Sequence, residues 1–130
     1  MSAPQWVSYN FAVLRVVPRV HVGAFTNVGV LVHARTAGFL GAHIVVDAAE
    51  LRGRVAGIDA GLLARYLVSL RGVVDGDAAC GPVALAPPSE RFHWLTAPRS
   101  DVLQCSPVHE GICTDPAATL AALFVEYVGG

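Results

Sequence analysis

A chain of 130 residues, 54% of them apolar and 15% charged, is long enough for one domain and apolar enough to leave surface for an interface once the core is filled. Its formal net charge of −1 excludes the basic surface of a nucleic-acid binder, and its nine basic residues are all arginines, which excludes lysine-based Schiff-base and phosphate-loop chemistry. We therefore predict a single domain over residues 1–130.

We expect a cytoplasmic protein that does not enter a membrane. The start of the chain lacks the basic region and apolar run of a secretory signal, and no uninterrupted apolar run reaches the ~18 residues that a membrane span needs. The cysteines Cys80, Cys105 and Cys113 are odd in number and irregularly spaced, which favours reduced thiols over a disulfide framework.

The first part of the chain predicts three strands. In residues 6–17, period two places alternate apolar side chains on one face, and Arg15 continues that face where an apolar residue is expected. The second strand covers residues 25–34 and the third residues 39–46. A hairpin loop in which Gly38 takes a positive φ joins them, so these two strands are antiparallel.

Two helices follow. Asp47 caps the start of a short one, with Glu50 in the capping-box position, and Gly57 ends it. A longer helix spans residues 59–71, and the side chains on its predicted buried face are Leu62, Leu63, Tyr66, Leu67 and Leu70. Residues 72–89, with glycine, aspartate and three prolines, predict a connection without regular structure.

The rest of the chain predicts two short strands and a helix. The strands cover residues 92–97 and 102–104. Asp115 is a good N-cap and Pro116 fits the first helical position, and the predicted buried face of this helix is Leu120, Leu123, Phe124 and Tyr127. We therefore predict an α+β domain, with an antiparallel sheet of three to five strands and two or three helices packed on one face.

Residues 90–109 are the first candidate for a functional surface. Arginine offers a planar fork of donors for carboxylate or phosphate, and histidine changes its charge near neutral pH. The polar and aromatic residues that could bind a ligand are Arg91, His93, Trp94, Arg99, Ser100 and His109, with Gln104 and Ser106 between them. The alternative is structural: an arginine–glutamate ion pair, a buried tryptophan and a solvated histidine.

Asn27 is the second candidate. It lies near Gly29 in a strand pattern, where a glycine marks a bulge or the close approach of another backbone. The structural interpretation is that Asn27 ties down a turn. The functional interpretation places Asn27 beside Arg15 at one end of the sheet, where both line a polar pocket.

The sequence predicts no metal and no cofactor. Cys105, His109 and Cys113 are spaced four apart, but Pro107 and Gly111 between them disfavour the helix that would bring them together. No nucleophile elbow, phosphate loop or dinucleotide fingerprint is present. Whether the protein is an enzyme stays open, and the lack of a catalytic motif favours a protein without catalytic activity.

Three stretches of the chain resemble a bacterial family of proteins, the domain of unknown function 3037 (DUF3037). They are YNFAVLRVVP (9–18), FTNVGVL (25–31) and RFHWLTAPRS (91–100), the last followed by Gln104, SPVH (106–109), Gly111 and DP (115–116). The resemblance covers nearly the whole chain. It implies no established activity, but it implies genes that neighbour those of HipA-like kinases. Ala24 stands where the family tends to have an acidic residue, and Cys105 and Cys113 lie outside its pattern.

We expect a non-catalytic binding or accessory module for a partner protein, for which the resemblance implies a HipA-like kinase. The alternative is a small enzyme or ligand-binding domain that recognises an anionic or phosphorylated small molecule. In that alternative, Arg15, Arg91 and Arg99 hold the anion, and His93 or His109 moves protons. It requires at least two of the three arginines to converge in one pocket. A homo-oligomer formed through the apolar excess is a third hypothesis.

Overall fold

Five strands and four α-helices make up the computed structural model, which describes residues 4–19, 21–98 and 102–129. The strands are β1 Val7–Val16, β2 Thr26–Ala34, β3 Phe39–Ile44, β4 Leu103–Cys105 and β5 His109–Cys113. The helices are α1 Ala48–Arg54, α2 Ala60–Asp75, α3 Pro88–Thr96 and α4 Pro116–Tyr127. Short 3₁₀ turns cover Arg35–Ala37, Ala78–Cys80 and Pro82–Leu85.

β1 lies at the centre of an antiparallel sheet. It pairs on one side with β2, which pairs with β3, and on its other side with both β4 and β5. β4 takes the C-terminal part of β1 and β5 the N-terminal part. The predicted fold class, an α+β domain with an antiparallel sheet of three to five strands, is confirmed.

Ser106 bridges the gap between β4 and β5. Its backbone N–H donates to the Val13 carbonyl at 2.8 Å, and its Oγ accepts from the Val13 N–H at 2.8 Å. The same hydroxyl donates to the Pro107 carbonyl at 2.9 Å. A side chain therefore replaces a backbone carbonyl in the ladder, because a buried N–H on β1 would otherwise lack an acceptor.

The helices cover both faces of the sheet. Leu14 and Val16 point to the face that carries α1, α2 and α3. Phe11 and Val13 point to the opposite face, where they pack with Leu123 of α4. Three helices thus share one face as predicted, and the fourth covers the other. The reason is the composition of β1 and β2, whose residues are apolar on both faces over much of their length.

The helix starts follow the predicted chemistry. Asp47 Oδ1 accepts from the backbone N–H groups of Ala49 and Glu50, and Asp115 Oδ1 accepts from two N–H groups at the start of α4. The predicted return bond from Glu50 is replaced by an ion pair with Arg54 at 3.2 Å.

The predicted strand over residues 92–97 is wrong, because residues 92–96 form the end of α3 and Ala97 is its C-cap. Pro88 begins the helix, and Phe92 and Leu95 lie three residues apart on its buried face. The alternation that suggests a strand also fits one short turn of buried helix. β5, in contrast, is not predicted from the sequence, because its residues are mostly exposed and include a glycine.

The predicted buried face of α2 is partly wrong. Leu63, Leu67 and Leu70 are buried, but Leu62 is 57% exposed and Tyr66 is 44% exposed. The helix also continues to Asp75, into the segment predicted to lack regular structure, and Gly76 ends it with a φ of 75°. The additional turn buries Val73 and Val74. The buried face of the helix is therefore the one that carries Leu63, Leu67 and Leu70, and Leu62 lies outside it.

Candidate functional site

The candidate surface of residues 90–109 is divided among several elements in the structure. Its first part is α3, its later parts are β4, the Ser106 bridge and β5. Arg99 and Ser100 lie outside the described residues. The segment that is dense in polar residues along the sequence is therefore not one surface in space.

Arg91 fastens α3 to the end of α2. Its Nη1 donates to the Ala86 carbonyl at 2.8 Å and its Nη2 donates to the Val74 carbonyl at 3.4 Å. The Nε of Arg91 is buried without a hydrogen-bond partner. A guanidinium whose two ends are directed at backbone carbonyls holds the fold, and it is not presented to an anion.

The two histidines of the candidate surface lie on different sides of the sheet. His93 is exposed in the last turn of α3, beside Trp94, which is 39% exposed. His109 on β5 pairs with Phe11, and their rings are 5.2 Å apart on the α4 face. The sheet therefore separates His93 from His109.

Arg15 and Asn27 are direct cross-strand neighbours, the first on β1 and the second on β2. Gln104 on β4 pairs with Arg15 from the other side. Directly paired residues of antiparallel strands share a face, so the three side chains form a polar row across one end of the sheet, on the α4 side. Arg15 and Arg91 thus lie on opposite faces of the sheet and do not converge in one pocket.

Asn27 also connects the sheet to α4. Its Nδ2 donates to the Tyr127 carbonyl at 3.0 Å, while its Oδ1 is buried and without a partner. The register shifts at Leu14/Arg15, where β2 has a bulge, and a Cβ on Gly29 would lie 3.1 Å from the His43 carbonyl oxygen. The bulge and the close backbone approach that the sequence predicts at Gly29 are both present.

An apolar groove on the α2 side is a surface that the sequence did not reveal. It has a volume of about 440 Å³, and the residues that line it are Ile58, Asp59, Leu62, Leu63, Tyr66, Val102 and Leu103. Among the described residues of this lining, Asp59 is the one that carries a charge, and its Oδ1 accepts from the Leu62 N–H at 3.0 Å. The available signal was that α2 has more apolar residues than one buried stripe accommodates.

His33 and Ser89 form a polar contact inside the α3 layer, which sequence reasoning also missed. His33 is buried on β2, its ring lies 5.2 Å from the Phe92 ring, and its Nε2 is 3.4 Å from Ser89 Oγ. Burial, and to a lesser degree the nearby Arg35, lowers the pKa of His33 from its usual 6.5. The pair satisfies a buried ring nitrogen, and no carboxylate among the described residues orients the imidazole as in a catalytic triad.

The three spaced residues considered for metal do not come together. Cys105 pairs with Leu14 and Cys113 with Val7, so their side chains point to opposite faces of the sheet. Over residues 4–19, 21–98 and 102–129, no group of three histidine, cysteine or acidic residues could hold a metal ion. Within the same ranges, no helix has the length and apolar character needed to cross a membrane.

A family model described as "Protein of unknown function (DUF3037)" matches residues 11–128 of the chain. No curated protein and no solved structure matches the chain. The match agrees with the resemblance found in the sequence and adds no activity to it.

Proposed function

The chain belongs to the DUF3037 family, whose description assigns no function, and we propose that it is a non-catalytic binding or accessory module that docks on a partner protein. The observation that supports this proposal is the apolar groove between the first turns of α2 and the start of β4. Exposed apolar surface of this kind, rimmed by polar residues, is typical of protein interfaces.

Leu62 and Tyr66 are the main contact residues in this proposal. They are one helical turn apart on α2 and lie opposite Val102 and Leu103 across the groove. Complete burial of one such side chain contributes about 1.5–3 kcal/mol, so two or three of them supply much of the energy of a specific interface. The exposed surface therefore favours a bound state in which an apolar segment fills the groove.

The partner segment carries a positive charge next to its apolar side chains. Asp59 is the charged residue among those described in the groove lining, and within the described part of the chain only its Oδ1 accepts a hydrogen bond, from the Leu62 N–H. Its second carboxylate oxygen is available to an arginine or lysine of the partner. The resemblance to DUF3037 proteins suggests a HipA-like kinase as this partner.

The test is co-expression of the full chain with a HipA-like kinase from the same genome, followed by size-exclusion chromatography and calorimetry. Leu62→Arg places a charge in the groove, and we expect binding to weaken by about 30-fold or more, which corresponds to a hot-spot loss of 2 kcal/mol. Leu85→Arg is the matched control, because Leu85 is 69% exposed, against 57% for Leu62, but lies in a 3₁₀ turn outside the groove. Independent migration of the two wild-type proteins, or equal effects of both variants, would contradict the proposal.

Asp59→Asn tests the charge separately. Asparagine caps a helix about as well as aspartate, so the fold is retained while the carboxylate charge is lost. We expect a several-fold loss of affinity that disappears at high salt. Unchanged affinity at low salt would show that the partner carries no cation at this position.

Light scattering on the chain alone tests the homo-oligomer hypothesis. We expect a monomer. A dimer that Leu62→Arg dissociates would assign the groove to a second copy of the chain and would overturn the proposal of a different partner protein.

The alternative function, an enzyme or ligand-binding domain with an arginine and histidine site, receives less support. Arg91 binds backbone carbonyls, and His93 is separated from His109 by the sheet. Of the arginines considered, Arg15 is the one whose terminal nitrogens bond no other described residue, which an anion site requires.

A further inference from the structure

Arg15 is a cation at the end of the α4 face, and none of the described residues forms an ion pair with it. The alternating face of β1 that carries Phe11 and Val13 is covered by α4, and Arg15 continues this face beyond them. We infer that Arg15 is the centre of an oxyanion-binding site, which takes the carboxylate or phosphate group of a small organic molecule.

The guanidinium is fixed before any ligand arrives. Its central carbon lies 4.1 Å from the centroid of the Phe25 ring, a cation–π contact, and its Nε is buried without a hydrogen-bond partner. Phe25 itself is 50% exposed, so the stacked pair is at the surface. A cation that is already oriented loses little conformational freedom when it binds an anion.

The two terminal nitrogens of Arg15 are the donors that the proposed site uses. Neither makes a hydrogen bond or ion pair with a described residue, and Nε is the only nitrogen of this side chain that is both buried and unpartnered. Among the described residues, the one ion pair joins Arg54 to Glu50. A fork of terminal N–H donors is therefore available, with the geometry that suits a carboxylate or phosphate.

The carbonyls at the end of α4 accept hydrogen bonds from residues other than Arg15. The Tyr127 carbonyl accepts from Asn27, and the Val128 carbonyl accepts from Arg54 Nη1 at 3.1 Å. The cross-strand neighbours of Arg15 are the neutral amides Asn27 and Gln104. No carboxylate in this row competes with an incoming anion.

A cleft next to Arg15 indicates what kind of ligand the site would bind. Arg19 lines a cleft of about 290 Å³ together with Phe25, Thr26 and a set of apolar side chains, and none of the described lining residues is acidic. Phe25 is shared by the cleft and by the stack with Arg15. A ligand with an apolar body next to its oxyanion would therefore contact Phe25 as well, and it would bind more tightly than the bare anion.

The experiment follows the arginine Nε–Hε resonances of the full chain by NMR. Acetate, inorganic phosphate and phenyl phosphate are each titrated at constant ionic strength, with chloride as the reference. We expect saturable shifts at Arg15 for all three, and tighter binding of phenyl phosphate than of inorganic phosphate. A preference for acetate would assign the site to carboxylates, and a preference for the phosphates would assign it to phosphate esters.

Two variants decide whether Arg15 is responsible. Arg15→Gln removes the charge and is expected to weaken binding by about tenfold or more, whereas Arg35→Gln, at an exposed arginine of the β2–β3 hairpin, leaves it unchanged. Phe25→Leu keeps the charge but removes the stacking, and we expect a several-fold loss. This variant keeps the test valid if Arg15→Gln proves unstable. Shifts that do not saturate, or equal losses in Arg15→Gln and Arg35→Gln, would overturn the inference.

The site is independent of the docking groove. Val16 and its partner Leu103 point to the α2 side, while Arg15 and its partner Gln104 point to the α4 side. Leu62→Arg should therefore leave anion binding intact. Arg15→Gln should likewise leave partner binding intact, so one proposal can fail without the other.

Discussion

Replacement of Ser106 by alanine should destabilise the protein by about 2 kcal/mol, because it leaves a buried backbone donor without an acceptor. The Val13 N–H donates to Ser106 Oγ at 2.8 Å, and Val13 is buried in the central strand. Ser106 Oγ also donates to the Pro107 carbonyl at 2.9 Å, and this bond is lost in the same substitution. An unsatisfied buried donor costs about 1–3 kcal/mol, and the alanine side chain has no atom that could accept the hydrogen bond.

The assay is urea unfolding at pH 7.5, with the melting temperature as a second measure. For a domain of this size, a loss of 2 kcal/mol lowers the Tm by about 6 °C. Ser69→Ala is the matched control, because the Ser69 hydroxyl bonds an exposed helix carbonyl, that of Arg65, and its removal should change the unfolding free energy by less than about 0.5 kcal/mol. Hydrogen exchange of the Val13 amide should become faster in Ser106→Ala. A loss no larger than that of Ser69→Ala would refute the bridging role.

Gly29→Ala should destabilise by about 1–3 kcal/mol, because the new Cβ would lie 3.1 Å from a carbonyl of the edge strand, whereas Gly53→Ala in α1, where the space is open, should stabilise by up to about 1 kcal/mol in urea unfolding. The lowered pKa of His33 means that the unfolded state takes up a proton first as the pH falls. The free energy of unfolding should therefore decrease below pH 6.5 and level off below the folded-state pKa, and His33→Gln should remove this slope in unfolding curves. Arg91→Ala should cost about 1.5–3 kcal/mol of stability through its lost carbonyl contacts, against less than about 0.5 for exposed Arg71→Ala, as measured by Tm.

The α3 segment shows how a short pattern can mislead. Residues 92–97 alternate as a strand does, yet Phe92 and Leu95 are buried at helical spacing. What decides between the two is the partner surface. His33 and the core of the α2 layer offer a packing site for a helix, and β1 has its remaining edge filled by β4 and β5. Neither fact is available from the segment itself.

Arg91 shows the same limit for the candidate site. In the sequence it is one of two arginines close to a histidine and a tryptophan, which is the composition of a binding surface. In the structure it reaches carbonyls 5 and 17 residues away along the chain. A side chain of this length finds its partners in space, so its role depends on which backbone groups the fold leaves without a donor.

The sequence by itself determined the first three strands, the antiparallel β2–β3 hairpin, the capped starts of α1 and α4, the bulge at Gly29 and the membership of the family. These features depend on alternation, capping and glycine geometry, which act over a few residues. Only the tertiary structure decided that β4 and β5 share one edge of β1 through Ser106, and that α4 covers the second face. The tertiary structure alone also forms the groove beside Leu62 and stacks Arg15 on Phe25. These features join residues far apart in the chain, so they follow from packing, and local sequence patterns do not encode them.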